Sequence, residues 1–269
     1  MSQTWRLLNL ETHGPAENMA IDEAILTAHR LGQVPPTLRF YAWDPPTLSL
    51  GYAQSFMREV DREACQRLGV AWVRRPTGGR AVLHHRELTY SVVVAEALLP
   101  GGILSTYLKI SSGLLRGLKS LGVDAALTAP GLKERAASAA CFDAPSAYEL
   151  TVNGRKLVGS AQLRQAGTIL QHGSILTDFD ADLLAGVLRV RDPAARPRLA
   201  RALAERAISL RQVLGREPEL GPLAEAVAAG LAAELDLALV PGELTEEEKE
   251  LARQLAQDKY ASPAWNEMR

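Results

Sequence analysis

The dipeptide Asn153-Gly154 stands between two runs in which apolar residues alternate with others. Both central residues of a tight two-residue hairpin need positive φ, which Asn and Gly adopt at least cost. The pair therefore joins antiparallel strands over residues 148–152 and 156–164. A strand's period of two puts Lys156, Val158, Ser160, Gln162 and Arg164 on one face, and Leu157, Gly159, Ala161 and Leu163 on the other. A mostly polar face that begins on a lysine, near a loop carrying Cys141, reads as a pocket wall. A thiol is mostly protonated at neutral pH, and a nearby ammonium favours its nucleophilic thiolate. Cys141 assisted by Lys156 is thus the first chemical hypothesis, and the small residues before it, AASAA, leave the thiol accessible. The competing reading is a core thiol, since free cysteine is among the most buried residue types. Cys65, mid-helix among Arg62, Gln66 and Arg67, takes that reading.

The 269 residues, 47% hydrophobic and 23% charged, suit a soluble globular chain with one large domain. A formal net charge of −1 with no long basic run gives nucleic-acid binding no electrostatic support. An acidic protein partner would have to find a local patch. No apolar run reaches membrane-spanning length, so no membrane association is expected. The first residues lack the pattern of a signal peptide. Two cysteines far apart read as reduced thiols. Together these predict a cytoplasmic protein.

Along the chain, residues 4–10 read as a strand. Residues 16–31 read as a helix with Met19, Ile21, Ala24, Ile25 and Ala28 at helical spacing, ended by Gly32 and Pro35-Pro36. Strands at 37–43 and 47–52 flank the turn Asp44-Pro45-Pro46. A helix at 60–68, a strand at 70–76 and a helix at 104–121 follow. After the central hairpin, Ala166-Gly167 turns into a strand from 168. Beyond about 181 the composition shifts to Ala, Leu, Arg and Glu with little β signal. Helices are expected at 198–214 and 222–235, the second burying Leu223, Val227 and Leu231. Thr245 and Glu248 form a capping box before a last helix that runs to 259–260. The expectation is an α+β fold of mixed or antiparallel sheets with packed helices and a helical C-terminal part. It forms a single domain, with its core at about 33–240 and an extension at about 241–269.

Residues 74–85, RRPTGGRAVLHH, form the second dense stretch. Gly78-Gly79 lets the backbone approach a ligand closely, and Arg74 and Arg75 could pair with an anion. The same residues also suit an ordinary hairpin end. Val82 and His84 share a strand face. His84 and His85 are adjacent and cannot easily chelate one ion, so no metal site is expected. Nothing in the spacing aligns either with Cys141 as a dyad. If Ala166-Gly167 is a two-residue turn, His172 pairs with Ala161 on the face opposite Lys156 and is satisfied within the sheet. A longer turn would reverse that face.

With these stretches assembled, the chain resembles the lipoate–octanoate protein transferase and ligase family. The resemblance rests on residues 74–92, 141–165, LQHGSIL at 170–176 and KYASPAWN at 259–266. It is strongest to the cysteine-dependent octanoyltransferases that modify the glycine-cleavage H protein. It implies a mixed α/β catalytic domain shared with biotin protein ligases, and a hydrophobic tunnel for the acyl chain. It implies that Cys141 takes octanoyl from octanoyl-acyl carrier protein as a thioester, and that a lipoyl-domain lysine of the H protein then forms the amide. Lys156 matches the lysine that lowers the cysteine's pKa. Gly78, Gly79, His84 and Arg75 match the substrate-binding motif. His85 departs from the family, which commonly has aspartate there. Thioester-to-thioester transfer is balanced and thioester-to-amide transfer runs downhill, so neither ATP nor a cofactor is required. Three alternatives remain open: an amidotransferase using octanoylated H protein as donor, an ATP-dependent lipoate ligase, and a non-catalytic scaffold binding acylated carrier domains.

Overall fold

In the computed structural model the described residues are 3–128, 140 and 149–268. Strand β1 (Gln3–His13) leads into α1 (Pro15–Arg30), which starts on a proline whose missing N–H costs nothing in the first turn. Its five apolar positions expected from spacing are all buried. β2 (Thr37–Trp43) and β3 (Thr47–Leu50) follow, then α2 (Phe56–Glu59), α3 (Arg62–Leu68), β4 (Ala71–Arg74), β5 (Val82–His84) and β6 (Glu87–Ala95). The middle of the chain supplies α4 (Ile103–Ser120), β7 (Ala126–Leu127), β8 (Leu150–Val152), β9 (Arg155–Gln165) and β10 (Thr168–Leu176). The remainder is α5 (Ala181–Val187), α6 (Arg196–Arg206), α7 (Leu210–Leu214), α8 (Leu220–Leu235), β11 (Leu237–Gly242), α9 (Glu246–Leu255) and α10 (Pro263–Asn266).

Eight strands form one sheet in the order β11-β1-β2-β6-β10-β9-β8-β7, parallel between β11, β1 and β2 and antiparallel beyond. One face packs on α4 and α8 through Leu114, Leu118, Val227 and Leu231. The other packs on α1 and α9 through Ile25, Leu26, Leu170 and Ala252. A second sheet, β4-β3-β5, has its own core with Cys65, Leu184 and Leu203. The fold is therefore the α+β arrangement expected.

Both predicted turns form. Asn153 and Gly154 have φ of 50° and 75°, and Ala166 and Gly167 have 47° and 77°. His172 accordingly pairs with Ala161. Thr245 and Glu248 make both hydrogen bonds of the capping box.

Two expectations about the C-terminal part are corrected. It is not wholly helical, because β11 adds to the sheet beside β1. Its Pro241 cannot donate to a ladder, and an edge strand is where that is tolerated. The helix expected over 198–214 breaks after Arg206. There Ala207 bridges Lys156, the Ile208 N–H donates to the Lys156 carbonyl at 2.9 Å, and Ser209 caps α7. The helical period continues through the break, but pairing with the start of β9 overrides it.

Candidate active site

A narrow inner cavity lies between α1, the large sheet and the loop joining β4 to β5. Met19, Tyr41, Trp43, Arg75, Gly79 and His84 are among its lining residues. Thr89 pairs with both Tyr41 and Ser174, and Ser174 pairs with Gly159. Directly opposed residues share a face, so this cavity lies on the Gly159–Ala161 side of β9. The polar face expected as the pocket wall is therefore not the main wall of the inner cavity. Gln162 and Arg164 of that face bond Thr106 at the start of α4, and Ser160 and Gln162 line a separate, more open outer cleft. The outer cleft shares Gly79, Ser160 and Ala161 with the inner cavity, and Gly78 and Glu149 also line it.

A chain of buried hydrogen bonds sets the cavity wall. Asp22 on α1 accepts from Arg39 at 2.8 Å, from the Tyr41 hydroxyl at 2.9 Å and from His172 Nδ1 at 3.0 Å. The other ring nitrogen, His172 Nε2, lies 2.7 Å from the Thr77 hydroxyl. Thr77 Oγ1 in turn accepts from Arg75 Nε at 3.1 Å. Burial pushes the Asp22 carboxyl up. The His172 hydrogen bond and the charge of Arg39 outweigh burial and hold it below its ordinary value. His172 is thus satisfied, as expected for its face, and also lines the cavity.

Arg74 and Arg75 do not form the anion clamp their sequence allowed. Arg74 donates to the carbonyls of Gly51, Tyr52, Gln54, Trp265, Asn266 and Met268. Arg75 donates to Ser49, Gly78 and Arg80 as well as to Thr77, which holds the glycine loop in place. Gly79 has φ of 90°, and a Cβ there would lie 2.9 Å from Arg75 Nη2. A Cβ on Gly51 would lie 2.0 Å from the Gly79 carbonyl oxygen, so two backbones meet where only glycines fit. Ser49 accepts from Arg75 and donates to His84 Nε2 at 2.9 Å. His84 Nδ1 then carries the proton and faces Glu87 at 3.5 Å, too long for a good hydrogen bond. Burial holds the His84 imidazole below its ordinary value, hence neutral at pH 7, and Trp43 stacks on it at 4.1 Å.

Lys156, the second residue of β9, has its side chain only 1% exposed, and its Nζ lies 2.5 Å from Oε1 of Glu149, itself 3% exposed. The Glu149 backbone is fixed by exchanged bonds with Thr128. Cys141 lies outside the described residues. Its chain neighbour Ala140 is buried and bridges Ala81, two residues past Gly79. Cys65 is a buried free thiol whose pKa burial pushes up to about 12, in keeping with its structural reading. Asp22, Thr77 and Glu149 were not singled out from sequence. Asp22 had a signal, since with Asn18 it interrupts an otherwise apolar helical face. Glu149 had none, since the hairpin pairs Thr151, not Glu149, with Lys156.

The family model for the lipoyl protein ligase A/B catalytic domain matches residues 14–232. The chain belongs to this family. The octanoyltransferase LipM of Kyrpidia tusciae is 54% identical, with 98% of each chain covered. That of Bacillus subtilis is 43% identical, again over 98% of each chain. Among solved structures, a bipartite lipoate protein ligase of Thermoplasma acidophilum superposes with a TM-score of 0.84 at 29% identity, covering 99% of this chain and 98% of that one. A lipoate-protein ligase A bound with ATP gives 0.81 at 27%, covering 98% of each. Among the described residues no helix is long and apolar enough to cross a membrane.

Proposed function

We propose that this acyltransferase moves an octanoyl group from octanoyl-acyl carrier protein to a lysine of a lipoyl domain, that of the glycine-cleavage H protein, through a thioester on Cys141. The observation that carries the reading is Lys156, buried and paired with Glu149, which lines the outer cleft. It is supported by full-length relatives named octanoyltransferases. In the first step the Cys141 thiolate attacks the donor thioester carbonyl and the carrier thiolate leaves. In the second, the deprotonated acceptor amine attacks the Cys141 thioester, the amide forms, the Cys141 thiolate leaves and the amine's remaining extra proton passes to solvent. Lys156 favours the thiolate in both steps by its charge.

The inner cavity suits the acyl chain, with Met19, Tyr41 and Trp43 as apolar lining and Gly79 at the passage shared with the outer cleft. Arg75 acts by holding the Gly78-Gly79 loop, and neutral His84 by packing on Trp43. These assignments make Cys141 and Lys156 the catalytic pair, with Arg75, Gly78, Gly79 and His84 shaping the substrate site.

Intact-mass spectrometry after mixing with octanoyl-acyl carrier protein, without ATP, tests the proposal. One octanoyl adduct mapping to Cys141, discharged by apo H protein, is the expected result. An adduct formed only from octanoylated H protein would make the chain an amidotransferase. Modification appearing only with ATP and free acid would make it a ligase.

A further inference from the structure

The chain carries 30 basic and 31 acidic residues, yet its charges are not evenly spread. A broad, open cleft between α2, the segment after α5 and α6 is lined by Arg58, Arg80, Arg189, Arg191 and Arg198, against Glu59 and Asp192. All five guanidinium-bearing residues are exposed. Among the described residues, no carboxylate lies within ion-pair distance of Arg58, Arg80, Arg191 or Arg198. The floor is well tied: Val60 bridges Leu188, and the Arg189 N–H donates to the Glu59 carbonyl at 2.9 Å. Five guanidinium groups against two carboxylates leave a local excess of positive charge on a chain of net charge −1, which attracts an anionic partner and speeds its encounter.

Its position ties it to the reaction. Arg80 lies between Gly79, which lines the inner cavity, and Ala81, which bridges Ala140 immediately before Cys141. The basic cleft therefore runs up to the residue that bridges Ala140, the chain neighbour of the proposed nucleophile. We propose that this arginine cleft is the docking surface for the acyl donor, an acidic carrier protein whose thioester hangs on a phosphodiester-linked arm. Guanidinium groups match both carboxylates on such a protein and the phosphate of its arm, bidentately. The arm would then pass Arg80 to reach Cys141. This inference rests on the octanoyl-transfer reading above.

The test compares two donors on the full-length protein, octanoyl-acyl carrier protein and octanoyl-N-acetylcysteamine, which has neither protein nor phosphate. In an Arg191→Glu/Arg198→Glu variant, KM for the carrier donor in forming the Cys141 adduct should rise by about tenfold at low salt. KM for the small thioester should stay as in the unaltered protein. Added salt should raise the unaltered protein's KM for the carrier and scarcely change the variant's, because screening acts only on an attraction that is present. An unchanged carrier KM with the adduct still forming would overturn the cleft alone. So would an equal loss with both donors, or a loss confined to discharge by the lipoyl domain. No adduct on the unaltered protein from either donor would overturn the transfer reading, and this inference with it.

Discussion

A lysine and a glutamate buried together within 2.5 Å form a pair of zero net charge, so the role proposed for Lys156 on the Cys141 thiol is opposed by the field of Glu149. Each partner's contribution has a predictable sign. Lys156→Met should raise the pH midpoint of Cys141 alkylation by iodoacetamide and slow octanoylation. Glu149→Gln keeps the side chain's shape, removes a negative charge and should lower that midpoint. Peptide mapping separates Cys141 from Cys65, whose buried thiol stays protonated until about pH 12. A midpoint that rises in Glu149→Gln would mean that Glu149 matters by holding Lys156 in place rather than by offsetting its charge. Lys156 was legible because it follows an Asn-Gly turn on a polar face. Glu149 was not, because a register shift between Leu150 and Thr151 breaks the simple cross-strand count between the two residues.

Between elements, α4 and α8 approach so closely that glycines do the packing. A Cβ on Gly117 would lie 2.6 Å from the Ala226 carbonyl oxygen and from Val227 Cα, and one on Gly230 would lie 2.3 Å from the Gly117 nitrogen. Gly→Ala inside a helix gains about 1 kcal/mol from propensity. Here the obstacles are backbone atoms that no rotamer change can move, so overpacking dominates. Gly117→Ala should lower unfolding free energy by about 1–3 kcal/mol, read from the urea midpoint. The helix periods themselves were visible: Leu223, Val227 and Leu231 mark the buried face of α8 as spacing predicts. The break between α6 and α7 was not visible. Residues 198–214 satisfy a helical pattern locally, and the interruption comes from Ala207 and Ile208 bonding to Lys156 some fifty residues earlier.

For the molecule as a whole, two buried groups shape how stability responds to acid: His84 on the cavity wall, and Asp22, bonded to the lining residues Tyr41 and His172. His84 has a folded pKa below its ordinary 6.5, so the unfolded chain takes up its proton first. Stability from keeping it neutral is complete above 6.5 and erodes as pH falls from there toward the lower folded value. Asp22 has a folded pKa below 3.8, so its pairing stabilises above that pH and is lost as pH falls through the folded value. Thermal unfolding across pH should therefore show an early decline that His84→Gln removes, and a later one that Asp22→Asn removes. A His84→Gln protein with the same slope between pH 6.5 and 5 would contradict the first. The sequence by itself determined the two hairpin turns, the apolar faces of α1 and α8, the final capping box and the family, because each depends on residues close together in the chain. Only the tertiary structure decided which face of β9 lines the cavity, that Asp22 on α1 orients His172 on β10, and that β11 joins β1 at the sheet edge. Those outcomes depend on groups far apart in sequence, brought together by packing that no local period encodes.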